Sequence, residues 1–155
     1  MAVKAIPEGH HAITPYLVVH DAPAALDFYQ RAFDAKELGR MNAPNGKVAH
    51  AEIKIGDSIV MLSDEMPEMG AQSPRTLKGS AVGLFIYTAD VDSAFDRAVA
   101  AGATAKAPVT DMFWGDRWGL LEDPFGHQWQ IATHKEDLSA EEIGKRAAKA
   151  MSAGA

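Results

Sequence analysis

The chain contains no cysteine. Disulfides, thiol nucleophiles and thiolate metal sites are therefore excluded, and the composition fits a reducing compartment. No apolar run approaches the roughly 20 residues that a membrane span needs. The first residues, Met1 to Glu8, are too polar for a secretory signal. The expectation is a cytoplasmic protein with no membrane partner. Basic residues are in the minority, 15 against 21 acidic, and no basic stretch occurs before the C-terminal tail. A net charge of -6 argues against a nucleic-acid partner. Also missing are the phosphate-binding Gly-x-x-x-x-Gly-Lys loop, the Gly-x-Gly-x-x-Gly turn and the Gly-x-Ser-x-Gly elbow.

Aromatic residues are sparse at 8%, yet all three tryptophans fall within the stretch Trp114 to Trp129. Its Asp123-Pro124-Phe125-Gly126 run is a tight-turn signal between two apolar segments. Proline presets φ for such a turn, and glycine accepts a positive φ. The preceding segment, Asp111 to Arg117, sets two acids, an indole and a guanidinium beside Gly115. It reads as a binding loop.

A chain of 155 residues with 47% apolar content can bury a core without staples. Ala12 to Val19 reads as a strand, and Asp21 as the cap of a helix to about Phe33. Ala25, Leu26, Tyr29, Ala32 and Phe33 keep the i, i+3, i+4 spacing of one buried helical face. Strands follow near 35–41, 48–55 and 58–62. Residues 64–80 are acidic and rich in Met, Pro and Gly. They read as a linker able to move over a site. The same order then returns: a strand at 81–88, a helix through Ala101, strands near 103–108, 118–121 and 129–132. Ser139 with Glu142 makes a capping box for a terminal helix to about Met151.

The repeat has a constant offset of 69 residues, as in Thr14 to Gly83, Met61 to Gln130 and Asp21 to Asp90. The predicted architecture is α+β, with two βαβββ modules in tandem, about 12–63 and 81–134, whose sheets enclose a cleft. A ligand would sit in that cleft.

With these elements placed, Ile13-Thr14-Pro15-Tyr16-Leu17, Ala25 to Phe33, Val48-Ala49-His50-Ala51-Glu52 and Asp111 through Trp129 resemble the vicinal oxygen chelate superfamily. That superfamily includes glyoxalase I, bleomycin-resistance proteins, fosfomycin-resistance enzymes and extradiol dioxygenases. The sequence is most similar to its PhnB-like branch, from about Ala12 to His134. The resemblance implies a homodimer. It also implies four cleft positions that hold His or Glu and a divalent metal in the metal enzymes. Here they fall on Thr14, Met61, Gly83 and Gln130, which suit no such ion. No cofactor is therefore expected, and glyoxalase or ring-cleaving chemistry loses its Lewis acid.

The side chains left to the cleft set two readings apart. Tyr16, Phe85, Tyr87, Trp114 and Gln130 would line an aromatic pocket for a small planar molecule, with Arg117 as a clamp for a carboxylate or phosphate. Against this, the aromatics could serve packing, and Arg117 could only pair with Asp111, Asp116 or Glu122. The alternative function is catalysis of a lyase, isomerase or dioxygenase type. His50 and Glu52 stand two residues apart on one strand face, as an acid/base pair or as ligands of a noncanonical divalent metal.

Overall fold

The computed structural model describes residues 2–154. The first module comprises β1 (Tyr16–Val19), α1 (Ala22–Phe33), β2 (Lys36–Asn42), β3 (Val48–Ile55) and β4 (Ser58–Asp64). After a 3-10 turn at Pro67–Met69 and a short α2 (Pro74–Leu77), the second comprises β5 (Gly83–Tyr87), α3 (Val91–Ala101), β6 (Thr104–Asp111), β7 (Asp116–Glu122) and β8 (Gln128–His134). A terminal α4 spans Ala140–Ala153. Each module folds into a four-stranded sheet, in the orders β1-β4-β3-β2 and β5-β8-β7-β6. This is the tandem α+β architecture that the repeat predicts.

The repeat is kept in its hydrogen bonds. Asp21 accepts from Ala24 N, and Asp90 accepts from Ser93 N, each capping its helix. The buried Asp64 carboxylate takes Ala22 N at 2.8 Å and Val48 N at 2.7 Å. At the matching place Thr133 takes Val91 N at 2.9 Å and donates to the Thr88 carbonyl. Two different side chains thus satisfy the same first-turn amide, which a helix cannot satisfy internally.

The helices pack on one face of each sheet and on each other. Arg97 of α3 donates to the Ala32 carbonyl, and Arg31 of α1 donates to the Ala101 carbonyl. The predicted face of α1 is buried in full, joined by Ala22 and Phe28. Its rings meet those of the second module: Trp129 lies 5.4 Å from Tyr29 and 4.6 Å from Phe33, between centroids. One core therefore serves both modules. The opposite face of each sheet has no helix laid along it among the described residues, apart from α2 beside β1.

Three expectations are refined by the structure. Residues 64–80, the expected linker, are anchored at their middle. Ser73 is buried and Pro74 docks against Gly126, where an added Cβ would come within 2.8 Å of the Pro74 Cβ. Glu65 accepts from Ser73 N at 2.6 Å. Hydrogen bonds from Thr76 and Ser73 hold its carboxyl down at about 2. The segment 111–117 is also not an open loop. Asp111 pairs with Arg117 across the β6–β7 ladder, leaving a tight turn over 112–115 closed by Met112 N to Asp116 O at 2.8 Å. The strand β1 starts at Tyr16 rather than Ala12, since Pro15 has no N–H for the ladder.

Candidate functional site

Register decides which side chains reach the open faces. On the first sheet Tyr16 pairs with Met61, and Met61 pairs with Glu52. Residues opposite in a ladder share a face, so Tyr16, Met61 and Glu52 lie together, with His50 two residues away on the same face. Ala51, Ile53 and Ile55 alternate onto the helix side and are buried. The alternation predicted for this strand thus sets His50 and Glu52 on the face away from α1. The Tyr16 hydroxyl is 3.2 Å from His50 Nδ1, and His50 Nε2 is 3.5 Å from Glu52 Oε1. His10, which precedes β1 in the chain, joins them: its Nε2 is also 3.5 Å from Glu52 Oε1.

The second sheet carries a different wall. Phe85 pairs with Gln130, and Gln130 with Leu120; Tyr87 pairs with Ala132, and Ala132 with Trp118. Phe85 and Tyr87 rings lie 4.9 Å apart, and Trp114 meets Trp118 edge-on at 5.9 Å. Trp118, which the sequence reading did not single out, donates its indole N–H to Gln130 at 2.9 Å. Alternation from the expected Phe85 and Tyr87 through the ladder would have found it. Phe85, Tyr87, Trp114 and Gln130 are thus gathered on one wall, as expected. Tyr16 is not with them: its ring partner is His50, on the first sheet.

The wall is held from behind by Asp116, a carboxylate only 3% exposed. It accepts from the Tyr87 hydroxyl and the Trp114 indole, both at 3.1 Å, and lies 2.7 Å from His134 Nδ1. Burial, then the Asp116 hydrogen bond, pushes the Tyr87 hydroxyl above its ordinary value. His134 is raised too, by hydrogen bonds to Asp137 and then Asp116. A raised histidine stabilises the fold fully below its unfolded value, near 6.5, and loses that contribution as pH rises through the folded value. An NMR titration should therefore find His134 protonated above the ordinary histidine range. In Asp116→Asn that midpoint should move down.

Arg117 does not serve as an open clamp. Its guanidinium forks onto Asp92 with two contacts of 2.8 Å, and NH1 reaches Asp111 at 3.2 Å. Asp92 lies in the first turn of α3, so Arg117 points to the helix side, away from Trp118. This is the loop-shaping role weighed in the sequence, with Asp92 as a partner that sequence distance concealed.

The four positions where the resemblance places metal ligands do not fit an ion. Thr14 donates to the His11 carbonyl at 3.3 Å, the Gln130 oxygen is taken by Trp118, and Met61 and Gly83 supply a thioether and no side chain. Among the described residues no group of three or more His, Asp or Glu is arranged to hold a metal ion.

A cavity of about 550 Å³ opens between the modules. Ile13 to Pro15, residues 55–60, the β5 run Leu84 to Tyr87 and Trp129 line it, and of these Leu84, Ile86 and Trp129 belong to the helix-side face, opposite to that of Phe85 and Gln130. Its volume lies in the range of small-molecule sites.

Two sheets of this order, each backed by a helix and joined in tandem, define the glyoxalase/bleomycin-resistance fold. Residues 9–131 match the profile of the Glyoxalase/Bleomycin resistance protein/Dioxygenase superfamily. The chain belongs to this superfamily. A protein of Mycobacterium tuberculosis, the uncharacterized Rv0887c, is 45% identical over 135 residues, covering 85% of this chain and 79% of that protein. The crystal structure of TioX from Micromonospora is 31% identical, with a TM-score of 0.63, covering 80% of this chain and 98% of that one. A PhnB protein from Bacillus cereus, described as a putative 3-demethylubiquinone-9 3-methyltransferase, matches at 21% identity and a TM-score of 0.62, with 79% and 99% covered. At that identity it shares the fold alone.

Proposed function

We propose that this protein binds a small planar molecule against the wall of Phe85, Tyr87, Trp114 and Trp118. The observation that carries this reading is the wall itself. Phe85 is 42% and Tyr87 63% exposed, an unusual setting for adjacent large rings on a soluble fold. Their neighbours are already fixed by Asp116 and Gln130, so little ordering is required on binding. No metal enters this reading.

A homodimer belongs to the same proposal. Among the described residues no ring contact joins the Tyr16 face to the Phe85 face within the chain. A second copy would bring one wall opposite the other and close the pocket. Loss of affinity for planar aromatic ligands in Trp114→Ala and Tyr87→Ala supports the proposal. Unchanged affinity in both variants, with the fold intact, ends it.

The second reading, an enzyme working through His50 and Glu52, gains one specific observation. The pair lies within reach of a hydroxyl and a second imidazole, rather than alone on a solvated strand.

A further inference from the structure

We propose that Tyr16, His50, Glu52 and His10 form a proton-accepting site that binds a weakly acidic planar ligand, a phenol or an enol, as its anion. The inference rests on the small-molecule reading above together with its homodimer, in which the Tyr16 face of one copy meets the Phe85 wall of the other, and it names the chemical class of the ligand.

Hydroxyl, imidazole and carboxylate stand in line. Tyr16 OH can donate to His50 Nδ1 at 3.2 Å, which leaves the His50 Nε2 proton directed at Glu52 Oε1, 3.5 Å away. That is the order in which a carboxylate holds an imidazole as a base towards a hydroxyl. The longer contact is of the kind that tightens when a ligand arrives. Tyr16 is 48% exposed, so the hydroxyl end of the chain is open to a ligand.

His10 adds a second imidazole beside Glu52. Its Nδ1 lies 3.4 Å from the Glu8 carbonyl, which can only accept, so that nitrogen carries a hydrogen. Its Nε2 is buried, has no hydrogen-bond partner among the described residues, and faces Glu52 Oε1 at 3.5 Å. With a bare lone pair there, two acceptors face each other. A second proton on His10 turns that contact into an ion pair. Glu52 is thus flanked by two imidazoles, each 3.5 Å from the same carboxylate oxygen.

The fold does not require this chain. In the second module, the partners in the matching register are Phe85, Trp118 and Leu120, where the first has Tyr16, His50 and Glu52. None of the three ionises, and the sheet is equally complete. The strand neighbours Gly39, Met41 and Met61 bring no charge to the site, and Lys54 is the next charged residue along β3.

The step needs no co-reactant. The ligand O–H bond breaks as its proton passes to the Tyr16 oxygen, while the Tyr16 proton moves to His50 Nδ1. The imidazolium is held by Glu52, and the ligand oxygen keeps the electron pair as a phenolate or enolate, accepting from Tyr16.

The test uses 4-nitrophenol, whose anion absorbs visible light, at a pH where the probe in solution is mostly neutral. Equilibrium dialysis counts bound probe whatever its protonation state, and absorbance reports the bound anion. In the wild-type protein the bound probe should ionise at least about one pH unit lower than in solution, about a tenfold preference for the anion. In His50→Ala the absorbance per bound probe should fall to that of the neutral phenol. Glu52→Gln and His10→Ala should each reduce the band, and they serve where His50→Ala does not fold. Probe bound as the neutral phenol, or an anion band that survives in these variants, overturns the inference and leaves small-molecule binding standing. No bound probe at all contradicts both.

Discussion

Asp123→Ala should destabilise the protein by about 3 kcal/mol or more, since each buried donor left without an acceptor costs about 1–3 kcal/mol. For a chain of this size that is a fall in Tm of roughly 10 °C or more. Asp123 is 3% exposed and sits in the β7–β8 turn. One oxygen accepts from Phe125 N and His127 N, both at 2.9 Å; the other accepts from the Tyr29 hydroxyl at 2.6 Å and the Trp129 indole at 2.8 Å. Alanine leaves all four donors buried without an acceptor, each a desolvation cost. Tyr29 belongs to α1, so the carboxylate also ties one module to the other. Burial, and then the Asp123 charge, holds the Tyr29 hydroxyl well above its ordinary value, so it remains a donor. Asp123→Asn should lie between, because its amide oxygen can still serve the two turn amides. Denaturant unfolding of the three proteins measures the series. A loss for Asp123→Ala below about 1 kcal/mol, no more than one ordinary hydrogen bond, would show that the turn is not the bolt described here.

The second large effect concerns binding. Asp116→Ala should weaken a planar aromatic ligand by at least about tenfold, or about 1.4 kcal/mol. Asp116 makes no part of the exposed wall, being buried behind it. Its Oδ2 fixes both Tyr87 and Trp114, and its Oδ1 faces His134. Without it the two side chains lose their shared anchor and must be ordered by the ligand, which subtracts from affinity. Tyr87→Phe is the informative companion. It keeps the ring and the Trp114 bond, so it should cost less than Asp116→Ala. Equal affinity in wild type and Asp116→Ala, in a folded protein, would show that the wall is ordered by other means.

The sequence carries the fold in two regularities, the offset of 69 residues and the change of apolar period between helix and strand. Both are local or nearly so, and the sheets follow them. The β3 alternation is equally legible and puts His50 and Glu52 on one face. What stayed hidden depends on distant partners. Asp123 reads as a turn residue because its hydrogen bond to Tyr29 crosses 94 residues. Arg117 reads as a clamp because Asp92 is 25 residues away. His10 lies in a stretch with no periodicity, and only the folded chain returns it to Glu52. Asp116 reads as part of a binding loop, whereas the β6–β7 ladder closes around it and buries its carboxylate. Trp118 was within reach of the ladder argument, since it lies across β8 from Tyr87.

The central claim is that the second sheet's aromatic wall is the ligand site. Mapping amide and indole NMR shifts on titration with a planar aromatic ligand tests it most directly. The indole N–H signals of Trp114 and Trp118 and the amides of Phe85 and Tyr87 should move together, saturating at one affinity, while the Trp129 indole stays in place on Asp123. Shifts confined to Ile55, Asp57 and Ser58 at the far side of the cavity, with both wall indoles unmoved, would contradict the account.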